Sequence, residues 1–205
     1  MLSLRLQTIA SLIPQKSNII NVGTDHALLE IFLAQNKNVK SIGIDISYPC
    51  VTKSKQNVIN AKLENEIQIF QNDGLKNIEL NDSIITLSGL GTKTILKIIK
   101  DVKTNDIIIQ SNNNLYSLRK ELYKKGYYIY EEKVVYDKKW YVIIYFKKGK
   151  IKYNNFELYI GPKINDKKYI DYLYNINMKK LKNIPKCKII KRLQTKLILK
   201  KLKKL

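Results

Sequence analysis

The chain has 205 residues, with 38 Lys and Arg against 17 Asp and Glu, a formal net charge of +21, two cysteines and one histidine. A hydrophobic content of 44% is enough to bury a core, so wholesale disorder is excluded, and the length suits one sizeable domain with a small appendage. Cys50 and Cys187 are too few for a disulfide framework, and the lone His26 leaves no zinc set. No apolar run reaches about 18 residues, and residues 1–11 lack the regions of a signal peptide, so a cytoplasmic protein with no metal and no membrane partner is expected.

The predicted elements begin with a short helix over 3–13. Residues 19–22 (Ile-Ile-Asn-Val) read as a buried strand ended by Gly23, and 27–35 as the helix after it. A second strand over 39–45 leads into a helix over 49–62, with Pro49 in its first turn, where a missing N–H costs little. Residues 67–70 form a third strand. A fourth, over 83–87, is followed at Gly89-Leu90-Gly91 by a turn into a helix over 92–102. A fifth, over 106–110, precedes a helix over 115–125 that Gly126 stops. This alternation argues for a parallel sheet covered on both faces. Strands over 127–136 and 140–147 are separated by only three residues, which permits an antiparallel hairpin and no crossover. The expected architecture is therefore α/β: a seven-stranded, mostly parallel sheet closed by an antiparallel hairpin.

Past Gly149 the composition shifts. Residues 164–205 read as two amphipathic helices in a hairpin, broken at Pro185. Residues 1–150 carry 22 basic and 14 acidic side chains, a net of +8, while 151–205 carry 16 and 3, a net of +13. After Asp171 there are 12 basic residues and no acidic one. Compositional drift would be roughly uniform, so this asymmetry marks a footprint for a polyanion, either nucleic acid or an anionic membrane surface. The membrane reading is the weaker, because the apolar stripe lacks interfacial Trp and Phe. The chain divides into a unit over 1–150 and a basic helical unit over 151–205.

In an open α/β sheet, ligands bind beyond the carboxyl ends of the strands. Those ends carry Gly23-Thr24-Asp25-His26, Asp45-Ile46, Asn72-Asp73-Gly74, Ser88-Gly89-Leu90-Gly91 and Gln110-Ser111-Asn112. Gly23 lets backbone approach a ligand, and Asp45, 22 residues on, suits two ribose hydroxyls. That geometry serves NAD and S-adenosylmethionine alike. Against NAD, Asp25 and Leu28 stand where the later glycines of G-x-G-x-x-G would be, and an anionic Asp25 suits a cationic sulfonium or amino group better than a pyrophosphate. Asn72-Asp73 suits the edge of adenine. Asp25 could equally be an N-cap for the helix beginning near Ala27, and Gly89 and Gly91 mere turn glycines.

The run Asn21-Val22-Gly23-Thr24-Asp25-His26-Ala27 resembles the D-I-G-T/S-D-H-A motif of the bacterial tRNA (adenine-N1)-methyltransferases that modify position 22. Ile44-Asp45-Ile46 with Pro49, Asp73-Gly74-Leu75, Gly89-Leu90-Gly91, Gln110-Ser111-Asn112 and Leu118-Arg119 resemble its later motifs. Residues 156–162 resemble the segment leading into its C-terminal, coiled-coil-like helical domain. Asn21, Thr92, Ser111 and Val142 depart from the pattern. The resemblance implies a Rossmann-like class I methyltransferase using S-adenosyl-L-methionine and acting on an adenine extruded from tRNA. It implies cofactor binding by Asn21, Gly23, Thr24, Asp25, Asp45, Ile46, Asn72, Asp73, Gly74, Ser88, Gly89 and Leu90. Asp25, His26 and Asn112 are the expected catalytic residues, and Arg5, Gly91, Gln110, Ser111, Asn112, Arg119, Lys179, Lys180 and Lys182 the expected substrate contacts. A monomer is expected. A catalytically impaired binding protein of the same fold, and a methyltransferase acting at another RNA position, are the rival readings.

Overall fold

A computed structural model describes residues 2–80 and 82–205 of the chain. Among these, β1 (Asn18–Val22), β2 (Lys40–Asp45), β3 (Ile67–Gln71), β4 (Ile84–Leu90), β5 (Asp106–Ser111), β6 (Tyr127–Asp137) and β7 (Lys139–Lys148) form a single sheet in the order β3-β2-β1-β4-β5-β7-β6. The first five strands pair in parallel, and β7 inserts antiparallel between β5 and β6. The architecture is the expected one, an α/β fold with a seven-stranded, mostly parallel sheet closed by an antiparallel hairpin.

The Ile-rich strands bury both faces, as parallel strands flanked by helices must. Ile20, Ile85, Ile107 and Ile109 pack with α4 (Thr92–Ile98) and α5 (Leu115–Lys124) through Ile95, Leu118 and Leu122. Their strand neighbours Ile19, Ile84 and Ile108 point the other way, against α1 (Leu4–Leu12) and α2 (Leu28–Lys37). The second helix also meets α3 (Tyr48–Asn60), where Ala34, Val51 and Val58 enclose Ile67 and Ile69. Each isoleucine fully withdrawn from water contributes about 1.5–3 kcal/mol. Lys37 fixes α1 by donating from Nζ to the carbonyls of Ala10 (2.7 Å) and Ile13 (2.5 Å). A cation there also complements the helix dipole.

Several boundaries differ from the expectation. β4 runs on through a bulge at Gly89 to Leu90, so Ser88 to Leu90 belong to the strand and not to a turn. α4 ends at Ile98, four residues early, and only Lys138 separates β6 from β7. A helix not anticipated as such, α6 (Asn155–Ile160), is set by a capping box: Asn154 accepts from the N–H groups of Phe156 and Glu157, whose carboxylate answers Asn154 N–H.

The expected helical hairpin is α7 (Lys167–Asn183) and α8 (Ile189–Leu202). Asp166 caps α7 through Tyr169 N–H, and Arg192 of α8 donates to the carbonyls of Leu181 and Ile184 that end α7. The hairpin is tied to the sheet by Tyr169, whose ring lies edge-on to Trp140 at 5.5 Å. Leu158, Ile164 and Tyr169 join the main core directly.

Candidate functional site

Strand order reverses between β1 and β4, and the polar strand ends gather at that switch point. Gly23 has φ +85°, a left-handed conformation that favours glycine, and a Cβ there would lie 3.9 Å from Ser88 O and from Leu90 Cδ2 across the gap. The N–H groups of Gly23 and Thr24 both donate to Ile44 O, at 2.8 and 3.0 Å, stitching the turn to β2.

Two consecutive non-glycine residues then hold left-handed backbones, His26 (φ 62°) and Ala27 (φ 56°). Each costs about 1–2 kcal/mol, strain of a kind that collects at functional sites. Asn57 of α3 secures this turn by donating to His26 O at 2.9 Å. Asp25 is 79% exposed and pairs with His26 Nε2 at 3.2 Å. It does not cap α2, whose cap residue is Ala27, without a side-chain bond. Asp25 and His26 therefore face outward together at the mouth of the turn.

Beneath the turn lies a buried polar network. Asn21 Nδ2 (2.9 Å) and Thr24 Oγ1 (2.5 Å) donate to Glu30 Oε1, and Thr86 Oγ1 donates to Asn21 Oδ1 (2.9 Å). The side chains of Asn21 and Thr24 are thus spent on supporting the turn. Glu30, 1% exposed, was not anticipated from the sequence. Its signal is its place on α2: Leu29, Leu33 and Ala34 surround it on the face turned to the sheet. Burial pushes its carboxyl above the usual carboxylate range, against the lowering effect of the hydrogen bonds from Thr24 and Asn21.

Beside the turn, Asp45 Oδ1 accepts from Ser47 N–H (2.8 Å), and Ile46 stands exposed. Asn72 N–H donates to Asp45 O (3.0 Å), while its side-chain amide closes the 72–76 loop onto Gly74 O and Lys76 O. Asp73 pairs with Lys76, which holds its carboxyl below the usual range. Asp25, half-buried Asp45 and Lys76-paired Asp73 place carboxylates at these strand ends of a strongly basic chain, an arrangement suited to a small cationic ligand.

On the other side of the switch point, Gln110 organises the end of β5. Its Oε1 accepts from Arg5 Nη1 and from Gly89 N–H, both at 3.0 Å, and its Nε2 donates to Asn112 Oδ1 (3.2 Å). Asn112 reaches back to β4 through its own N–H to Leu90 O (2.9 Å) and its Nδ2 to Gly89 O (2.5 Å). Ser111 and Thr92, two departures from the motif, meet hydroxyl to hydroxyl at 2.8 Å, and Asn113 Oδ1 takes Thr92 N–H at 3.0 Å. The loop that lacks the motif's proline is held by side-chain bonds instead. Arg5, Gly91, Gln110, Ser111 and Asn112 are thus brought together.

One expectation is corrected. Arg119 is not presented to a substrate: its side chain has no exposed surface, and its Nε donates to Glu132 Oε1 at 2.7 Å. Its Nη1 holds Leu158 O and Tyr159 O of α6, both at 3.2 Å. Gly161 (φ 112°) ends α6 against this pair, where a Cβ would fall 2.6 Å from Glu132 Oε2. Lys179, Lys180 and Lys182 are exposed at the C-terminal end of α7. Among the described residues, no cluster of three or more His, Cys, Asp or Glu side chains could hold a metal ion, and no helix is long and apolar enough to cross a membrane.

Residues 2–144 match a family model described as a methyltransferase domain. The tRNA (adenine(22)-N(1))-methyltransferase of Bacillus subtilis is 31% identical over 141 residues, a match spanning 65% of this chain and 59% of that enzyme. A Mycoplasma genitalium protein named as a candidate tRNA methyltransferase is 31% identical over 172 residues, 78% of this chain and 77% of its own length. The structure of the M. capricolum enzyme TrmK in complex with S-adenosyl-homocysteine superposes with a TM-score of 0.85 at 29% identity, covering 100% of this chain and 97% of that one. The chain spans about 59% of the length of the Bacillus subtilis enzyme it matches. On these matches it belongs to the methyltransferase-domain family, and within that family it is similar to bacterial tRNA methyltransferases.

Proposed function

We propose that this chain transfers the methyl group of S-adenosyl-L-methionine to N1 of adenosine 22 in tRNA. The observation that carries the reading is the Gly23–His26 turn, with its exposed carboxylate, at the sheet's switch point in a fold shared with an S-adenosyl-homocysteine complex. The bare backbone of Gly23 and the acidic surroundings fit a cofactor whose sulfonium is cationic. That cofactor supplies an already activated methyl group, so most of the rate is positioning. In the reading, Gly23, Thr24 and Asp25 meet its methionine end, Asp45 and Ile46 the ribose, Asn72, Asp73 and Gly74 the adenine, and Ser88, Gly89 and Leu90 flank the sulfur.

The target adenine would be extruded into the site, at a cost of a few kcal/mol. Its N1 lone pair forms the new N–CH3 bond as the S–CH3 bond breaks, and the ring gains a positive charge unless the exocyclic amine releases a proton. Asp25 accepts a hydrogen bond from that amine, and His26 and Asn112 orient the base. The basic helical unit over 151–205 holds tRNA through phosphates, Lys179, Lys180 and Lys182 among the contacts, recognising shape more than sequence. The protein acts in the cytoplasm as a monomer. The test is tritium transfer from labelled methyl donor to bulk tRNA. Incorporation by the wild-type chain supports an active enzyme, and none with intact donor and tRNA binding would establish an impaired binding protein.

A further inference from the structure

Glu30 is a carboxylate buried among neutral groups, which opposes stability, and it sits directly under the turn that faces the ligand. Both contacts to its Oε1 come from groups that position the site: Asn21 at the end of β1, and Thr24 in the turn. β2 makes room for them with a glycine, since a Cβ on Gly43 would lie 2.8 Å from Glu30 Oε1 and 3.1 Å from Thr24 Oγ1. A neutral glutamine of the same shape would avoid the burden of a buried charge. Asn21, Thr24 and Thr86, the other members of the network, are not ionisable, so the network's ionisable group is the one supplied by α2. The neighbours named here are neutral, and burial is the leading influence on the carboxyl.

We propose that Glu30 is a positioning residue for the methyl donor: it fixes Thr24, and with it the Gly23–Asp25 backbone, and its charge favours the cationic sulfonium over the neutral sulfide product. The inference rests on the reading of the donor as S-adenosylmethionine. It makes the buried charge a device for exchanging product for fresh donor.

Calorimetric affinities for S-adenosylmethionine and S-adenosyl-homocysteine test it on the full-length chain. Glu30→Gln is expected to fold with an unchanged or higher Tm, to lose about tenfold in affinity for the donor, and to lose less than about threefold for the product. Equal losses for both ligands, or none, would overturn the charge role; support for the fold alone cannot separate the two. Thr24→Val cuts the link but keeps the charge, so both affinities should fall while the preference for the donor persists; unchanged affinities would overturn the positioning role. If Glu30→Gln does not fold, the exchange Asn21→Asp with Glu30→Gln keeps one carboxylate and one amide. Retained donor preference there supports the proposal, and its loss overturns it. A wild-type chain that binds neither ligand would contradict the methyl-donor reading instead.

Discussion

Asp25 is held at the mouth of the site by a turn that accepts strain in two successive residues, with Asn57 clamping the carbonyl between them. Such over-determination keeps a solvent-exposed carboxylate in one place, which is what a hydrogen bond to a transferring base requires. Asp25→Ala should lower methyl transfer about 100-fold or more while donor binding survives at least in part, measured by turnover beside calorimetry. Complete loss of donor binding would leave Asp25 a cofactor residue alone and remove its role at the target base. Asp45→Ala should weaken donor binding about tenfold, and unaltered affinity would remove the ribose role. Glu30 carries a pH signature. Its folded-state carboxyl lies above its unfolded value, so ionising it costs stability that is absent at pH below the unfolded range and fully felt above the folded one. The Tm of Glu30→Gln relative to the wild type should therefore be higher near neutral pH, with the difference shrinking toward pH about 4. At this scale the sequence was readable where a residue's position follows from its place after a strand, as for Gly23, Asp45 and Asp73 at the strand ends. It was not readable where burial reverses a residue's usual habit. Charged side chains are mostly exposed, so Glu30 and Arg119 could be seen as interior only once α2, α5 and α6 were packed.

The elements show why the site's two halves stay in register. β4 carries its bulge into the switch point, and the loop after β5 is bound to it through Gln110, Asn112 and the Ser111–Thr92 pair. A period-two reading ends β4 at its last isoleucine-leucine run and cannot foresee that backbone pairing continues past a left-handed glycine. The α6 helix was likewise invisible as a helix, because six residues offer less than two turns of periodicity; its capping box was the available signal. Its attachment is the Arg119–Glu132 pair. Burial raises the Glu132 carboxyl and Arg119 opposes that shift, so the ionised pair is tolerable only while both members remain. Arg119→Ala should therefore destabilise the chain by about 3–5 kcal/mol in denaturant unfolding. Replacing both partners with apolar residues of similar size should recover most of that loss. Failure of the double replacement to recover any stability would show that the pair itself stabilises the fold.

Across the whole molecule, charge is divided by region. The strand ends gather carboxylates, while the helical hairpin beyond Asp171 is free of acid and rich in lysine. In the proposed reading the first suits a sulfonium and the second tRNA phosphates. Because Ile164 and Tyr169 lie in the main core, deleting the hairpin would damage the domain as well as the RNA grip. Changing Lys179, Lys180 and Lys182 together to alanine leaves that packing alone. It should weaken tRNA binding and flatten the dependence of log affinity on log salt by up to about three, near one per lost phosphate contact, with donor affinity unchanged. An unchanged salt slope would remove these lysines from the interface. The central claim concerns one atom of one nucleotide, and mass-spectrometric mapping of tRNA after incubation with the chain and S-adenosylmethionine addresses it directly. The account predicts a single added methyl group on adenosine 22, at N1; methylation at another position, or on another base, would contradict it.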